Sequence, residues 1–256
     1  MTDATQQGWV SCEIKEGVAS ITFFHPSHNS LPGNLLAKLA GTITEAGEND
    51  DVIVIILQSA GERTFCAGAS FDELISIPDF DTGKQFFLGF ANVINACRTC
   101  PKLIIGRVQG KAVGGGVGLA SATDYCFATK FSSVKLSELA VGIGPFVVGP
   151  AVERKIGLSA FSQMSINATA WYDATWACEK GLFASVSDSA EQMDEAIDSL
   201  VQKLVHSNPE AMTGLKQIFW RGTEDWDELL DERAAMSGQL VLSSFSKNAI
   251  EKFKKK

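Results

Sequence analysis

Two apolar stretches, Val10 to Glu16 and Val18 to Phe24, alternate or cluster β-branched and aromatic residues on either side of Glu16-Gly17, which predicts two strands joined by a tight turn. His25-Pro26 ends the second, because the residue before a proline is held in extended backbone. Leu35, Leu36, Leu39 and Ile43 then recur at helical spacing, with Asn29 or Ser30 as the expected cap and Glu48-Asn49-Asp50-Asp51 as the end. Val52 to Leu57 is continuously apolar, the mark of a strand covered on both faces of a largely parallel sheet. A loop of small residues, Gly61 to Leu74, follows it. Phe86, Phe87, Phe90, Val93, Ile94 and Cys97 give a helix over 85–97, Pro101 breaks it, and Leu103 to Val108 is the next buried strand. Short strands are expected at 125–128, 133–136 and 183–186. From Pro150 the period is helical, over 151–156, 160–165, 172–180, 192–206, 210–220, 226–240 and 244–256. Alternating strands and helices predict an α/β fold with right-handed crossovers. The shift to helices near residue 190 to 200, with no linker, predicts a helical C-terminal appendage rather than an independent second domain.

The stretch around which this pattern is organised is Gly110-Lys111-Ala112-Val113-Gly114-Gly115-Gly116-Val117-Gly118, where a buried strand runs into clustered glycines and then into small, helix-compatible residues. Glycine lets a ligand reach the backbone and tolerates unusual dihedrals. A helix start leaves N–H groups unpaired, so such a turn can hold an anion or a developing oxyanion. A close helix–strand crossing is the competing reading. The loop around Cys66-Ala67-Gly68-Ala69 is a second strand-to-turn-to-helix unit of the same kind. Downstream, Glu138 sits in the apolar, Gly-rich stretch from Ser137 to Pro145. A carboxylate there is desolvated, which raises its pKa and fits it for proton transfer near neutrality; alternatively it caps a helix or pairs with Lys135 or Arg154 at the surface.

The charge balance narrows the classes. With 22 Lys+Arg against 30 Asp+Glu the formal net charge is −8, which argues against sequence-independent nucleic-acid binding and requires any phosphate-bearing ligand to be held by a local basic cluster. No apolar run is long enough to span a bilayer, and the polar N-terminus carries no leader pattern, so a cytoplasmic location is expected. The six cysteines lack framework spacing and are expected to be reduced. Cys97-Arg98-Thr99-Cys100 fits a redox or metal motif, but no second pair follows and none of the three histidines lies near in sequence, so packing is the expected role and no metal is expected.

Taken in order, Cys66-Ala67-Gly68-Ala69 with Glu73-Leu74, Gly110 to Gly116 with Asp124, and Glu138-Leu139-Ala140-Val141-Gly142-Ile143 with Pro145 and Gly157 resemble the crotonase family, the enoyl-CoA hydratase/isomerase superfamily, over nearly the whole chain. The resemblance implies an α/β crotonase-like ββα spiral core at 1–195 and a helical C-terminal region at 196–256 that packs on the core and on neighbouring subunits of a homotrimer or hexamer. It implies an acyl-CoA thioester as substrate, with coenzyme A part of that substrate and no separate cofactor, nucleic-acid partner or membrane. The thioester oxygen would sit between the N–H groups of Ala69 and Gly115, two fixed dipoles that stabilise an enolate as it forms. Glu138 would move the proton. Cys66, Ala67, Gly68, Gly114 and Gly118 would contact substrate, with the adenine near Cys66 and Ala67, and Lys252 or Lys254 could meet the phosphates.

The chain departs from this pattern at Gly118, where hydratases of the family carry a second glutamate, and at Ser70, which replaces a common acidic residue while Asp72 and Glu73 remain nearby. The resemblance favours hydration of a 2-enoyl-CoA. The single glutamate keeps open Δ3,Δ2-enoyl-CoA isomerisation, which needs only one base, and a CoA-binding family member with little catalysis. Gly118 is also expected to enlarge the pocket near the reacting carbons and to suit a branched, methylglutaconyl-like acyl group.

Overall fold

The computed structural model describes residues 8–254. Strands β1 (Trp9–Lys15) and β2 (Val18–Phe24) form an antiparallel hairpin. Glu16 and Gly17 between them both have positive φ, 50° and 81°, the type I′ geometry that matches the twist of paired strands. A two-residue strand, β3 (Ser30–Leu31), leads into α1 (Gly33–Glu48), and β4 (Val54–Ser59) follows. The first glycine unit comprises β5 (Thr64–Cys66), β6 (Gly68–Ala69) and α2 (Phe71–Ser76). Next come α3 (Phe80–Thr99) and β7 (Leu103–Val108), and the second unit, β8 (Lys111–Val113) and α4 (Gly115–Ala122). Strands β9 (Tyr125–Thr129) and β10 (Ser133–Lys135) precede a 3-10 turn at Glu138–Val141. The remainder is α5 (Gly149–Ile166), β11 (Tyr172–Asp173), α6 (Ala174–Glu179), β12 (Ser185–Ser187), α7 (Ala190–Val205), α8 (Pro209–Phe219), α9 (Trp226–Val241) and α10 (Ser244–Lys254).

The main sheet has six strands in the order β1-β2-β4-β7-β9-β12, parallel except for the hairpin. The unbroken apolar run of β4 has its cause in this layering. Ile55 and Leu57 face the large core formed with α1, α3 and α4, while Val54 and Ile56 face a second cluster against Met193, Ile197 and Val201 of α7 and Met212 of α8. A strand with both faces covered has no solvent-facing positions to make polar.

A second sheet, β11-β10-β8-β5, and the pair β3-β6 carry the two turns. Strands β5 and β8 are parallel neighbours with Cys66 opposite Ala112, so both glycine turns emerge side by side. This adjacency positions the site.

Three local expectations change. Neither Asn29 nor Ser30 caps α1, whose N-cap is Pro32. Asn29 is buried instead: its Oδ1 accepts from the His25 N–H, and its Nδ2 donates to the carbonyls of Ala60 and Thr64, tying the end of the hairpin to the first glycine loop. Tyr172 and Asp173 are strand rather than helix, because Asp173 caps α6 by accepting from the Trp176 N–H. The boundary expected at 195/196 falls inside α7. The interruption expected between 156 and 160 is present as a kink in α5 at Gly157, φ 75° and ψ 159°.

The C-terminal helices join the core at two points. Lys216 of α8 reaches Asp124 with Nζ 2.9 Å from Oδ2, both side chains almost fully buried, and also donates to the Lys102 carbonyl. The same carboxylate accepts from the Ile104 N–H and from the Trp220 indole N–H. Helix α10 packs on the Glu138 turn, where the Ser246 hydroxyl donates to the Gly142 carbonyl at 3.1 Å. Cys97 and Cys100 are buried and unpaired at the end of α3, and burial pushes the Cys97 thiol up to about 12. Among the described residues there is no cluster of three or more potential metal ligands, and no helix is long and apolar enough to cross a membrane.

Candidate active site

The first donor comes from β6. Ser70 N–H donates to the Leu31 carbonyl, and the parallel register pairs Leu31 with Ala69. Residues along a strand direct their backbone groups alternately to opposite sides. The Ser70 N–H thus faces β3, and the register leaves the Ala69 N–H outside the β3–β6 ladder. The second donor is Gly115, the first residue of α4, whose N–H has no partner within the helix. The two turns touch: a Cβ at Gly68 would lie 3.0 Å from the Val113 carbonyl oxygen and 3.6 Å from the Gly115 nitrogen.

Gly114 precedes α4 with φ 52°, and a Cβ there would lie 2.9 Å from Oε1 of Glu138. Any larger residue at 114 would push the carboxylate away. Glu138 itself begins the 3-10 turn. Its stem is half-buried, but Oε2 is sealed from solvent and has no hydrogen-bond partner. Desolvation raises its pKa to about 7, against the weaker pull of the Glu138 and Ser137 N–H groups. The surface pairings open at the sequence level are not made. Lys135 lies over the Trp171 ring, and the Arg154 guanidinium stacks on Trp220 while donating to the Phe219 carbonyl.

Gly115 and Glu138 line one cavity of about 60 Å³ whose other walls include Phe86, Phe90, Phe146 and Val148. Glu138 is the single titratable side chain in that lining. Asp72 is exposed, and Glu73 accepts from the Gly33 N–H at the start of α1, so neither carboxylate serves the cavity. Ser70 caps α2 through the Glu73 N–H.

Gly118 does not enlarge the pocket. It lies further along α4, and the space a side chain would take is filled by Val148, whose Cγ1 is 2.5 Å from the ideal Cβ position. Introducing the absent glutamate, Gly118→Glu, is therefore expected to overpack the site and lower stability by about 1–3 kcal/mol, with relief on adding Val148→Ala. Urea unfolding of the single and double variants measures this.

Cys66 is fully buried beneath the turn, its Sγ accepting from the Gly68 N–H at 3.4 Å. Ala67, in contrast, opens on a separate groove of about 500 Å³ shared with His28, Arg63, Lys111 and Trp171. Lys111 and Lys135 stand 5.1 and 4.5 Å from the Trp171 ring centroid. Burial and the Lys111 charge lower the Lys135 pKa. This basic groove was not foreseen from the sequence, although Lys111 lies within the glycine run. Lys252 is exposed on α10, and the side chain of Lys254 lies outside the described residues.

Two strand–turn–helix units therefore meet beside a desolvated glutamate. The chain belongs to the enoyl-CoA hydratase/isomerase family, whose model matches residues 13–256. It is similar to the peroxisomal Delta(3,5)-Delta(2,4)-dienoyl-CoA isomerase of Arabidopsis thaliana, at 25% identity over 96% of this chain and 95% of that one. It is similar to the short-chain-enoyl-CoA hydratase of Clostridium acetobutylicum, at 28% identity over 93% and 92%. The structure of an enoyl-CoA hydratase from Bacillus halodurans superposes with a TM-score of 0.87 over 95% of this chain and 99% of that one, at 20% identity.

Proposed function

We propose that this protein isomerises an enoyl-CoA thioester, shifting a double bond from the 3 to the 2 position with Glu138 as its sole acid–base group. The observation that carries this reading is the cavity lining, in which Glu138 is the one ionisable side chain and Val148 occupies the space a residue at 118 would need. In the forward step the Glu138 carboxylate removes a proton from C2. The C2–H electron pair moves into the C1–C2 bond, and the carbonyl electrons move onto oxygen, between the Ala69 and Gly115 N–H groups. The enolate then collapses: its electrons re-form the carbonyl, the double bond shifts to C2–C3, and C4 takes the proton back from the Glu138 carboxylic acid. Atoms and charge balance with no added reactant. A single group with a pKa near 7 suits both halves, because it must be a base in one and an acid in the next.

The groove of Arg63, Lys111 and Trp171 beside Ala67, with Lys135 over the Trp171 ring, would take the phosphates and adenine of coenzyme A, cations for the one and an aromatic face for the other. This supplies the local basic cluster that a chain of net charge −8 requires.

Hydration is the second reading, favoured by the 28% identity to the Clostridium enzyme. Glu138 would then take a proton from a water molecule whose oxygen adds to C3, and return a proton to C2 of the resulting enolate. Incubation with 3-hexenoyl-CoA and with crotonyl-CoA separates the two. Isomerisation creates the conjugated thioester chromophore, and hydration destroys it. Tight binding of both with no change in either would instead identify a CoA-binding protein with little catalysis. The kcat/KM for isomerisation is expected to rise about tenfold per pH unit below about 7 and to level above it, since only the ionised carboxylate starts the reaction. A flat profile from pH 5 to 8 would remove Glu138 from the role of base.

A further inference from the structure

The inner cavity is small. At about 60 Å³ it is much smaller than its neighbour across Phe146. Pro145 and Phe146 are in its lining, and these two residues also line a second, larger cavity of about 390 Å³. That outer cavity is bounded by α5 through Gly149, Leu158, Phe161 and Ile166, with Arg233 of α9 at one side. Leu158 and Ile166 are largely exposed, so the outer cavity opens to solvent; its lining is mainly apolar, with Glu153, Ser162, Ser165 and Arg233 as its polar members.

Phe146 is held as a partition rather than as a loose flap. Its N–H donates to the Gly144 carbonyl at 2.7 Å, and its ring lies against Gly144, where any side chain would clash with it. In the outer cavity's lining, the Phe161 ring approaches the position a Cβ would take on Gly149, at 2.9 Å. Gly144 thus seats the ring that lines both spaces, Phe146, and Gly149 seats Phe161 in the wall of the outer one.

We propose that Phe146 is the chain-length determinant of this site: it closes the acyl pocket behind a short, apolar acyl group, and its removal joins the pocket to the outer cavity and admits longer chains. The inference rests on the acyl-CoA reading of the site. It replaces the branched, carboxylated substrate expected from Gly118, because apart from Glu138 and Ser237 the side chains around the pocket are phenylalanine, proline and valine, none is cationic, and the Ser237 hydroxyl already donates to the Arg233 carbonyl.

The test compares the protein with its Phe146→Ala and Phe146→Leu variants. Calorimetric binding is measured for butyryl-, hexanoyl- and decanoyl-CoA, and kcat/KM for the matching 3-enoyl thioesters of six and ten carbons. The unsubstituted protein is expected to prefer the shorter chain. Phe146→Ala is expected to move the decanoyl-to-butyryl affinity ratio by at least about tenfold toward the longer chain, with Phe146→Leu between. A ratio taken within one protein cancels any loss of folded fraction. Equal binding of butyryl- and decanoyl-CoA by the unsubstituted protein, or an unchanged ratio in Phe146→Ala, overturns the proposal. If the ratio shifts in binding but no thioester turns over, the partition stands and the isomerase reading falls. If none of the thioesters binds, the acyl-CoA reading falls and the partition falls with it.

Discussion

Glu138→Gln is expected to lower kcat by about 10²–10⁴-fold while leaving acyl-CoA binding within a few-fold, because it removes the proton-transfer group and keeps its shape. No second titratable side chain lines the cavity to take over. The same substitution is expected to stabilise the fold at alkaline pH. The pKa of Glu138 is raised from 4.5 to about 7 by burial, so its neutral form is the one the folded protein favours. A raised folded-state value contributes stability that is complete below 4.5 and is lost as pH rises through about 7. That span corresponds to about 3 kcal/mol lost by pH 8, which glutamine does not lose. Urea midpoints at pH 5 and pH 8 should show the variant gaining on the unsubstituted protein as pH rises. A constant difference between the two proteins would mean that the carboxylate is solvated in the fold. Loss of turnover together with gain of stability would mark a strained group kept for chemistry.

Lys216→Met is expected to lower stability by about 3–5 kcal/mol with little direct effect on the reacting groups. It strips the buried Asp124 carboxylate of its cation, 2.9 Å away, and frees the Lys102 carbonyl as well. The Ile104 and Trp220 N–H groups still donate to Asp124, but they do not neutralise it. Adding Asp124→Asn to Lys216→Met is expected to recover part of the loss, since no uncompensated charge then remains. Chemical denaturation of the two single variants and the double variant gives the coupling directly. A loss below 1 kcal/mol in Lys216→Met would show that water reaches the pair. Asp124 stands beside the glycine run in sequence, but it is a tether: it fastens α8 to the start of β7 and thereby sets the C-terminal helices against the sheet.

Much of the architecture was legible because its causes are local. The hairpin follows from Glu16-Gly17, the buried strands from runs such as Val54 to Leu57, and the helices from their apolar period. The two glycine turns and Glu138 were singled out because small residues and a lone carboxylate in apolar surroundings are unusual wherever they fall. The resemblance then supplied their order and roles. Asn29 misled as a helix cap because its side chain is satisfied by Ala60 and Thr64, partners far along the chain.

The sequence by itself determined the α/β class and the strand–turn–helix units, and it singled out Glu138 as a carboxylate in apolar surroundings, since each depends on residue type and spacing along the chain. The tertiary structure decided what surrounds them. Only the packing of β5 beside β8 brings the two turns together, and only the docking of Val148 onto α4 turns Gly118 from expected space into a filled position. Likewise Arg63 and Lys111 become one basic groove, with Lys135 over its Trp171 ring, and Phe146 a wall, through contacts between segments that no local pattern links. Local propensity records how a stretch folds, whereas a cavity is the space left between stretches and has no sequence of its own.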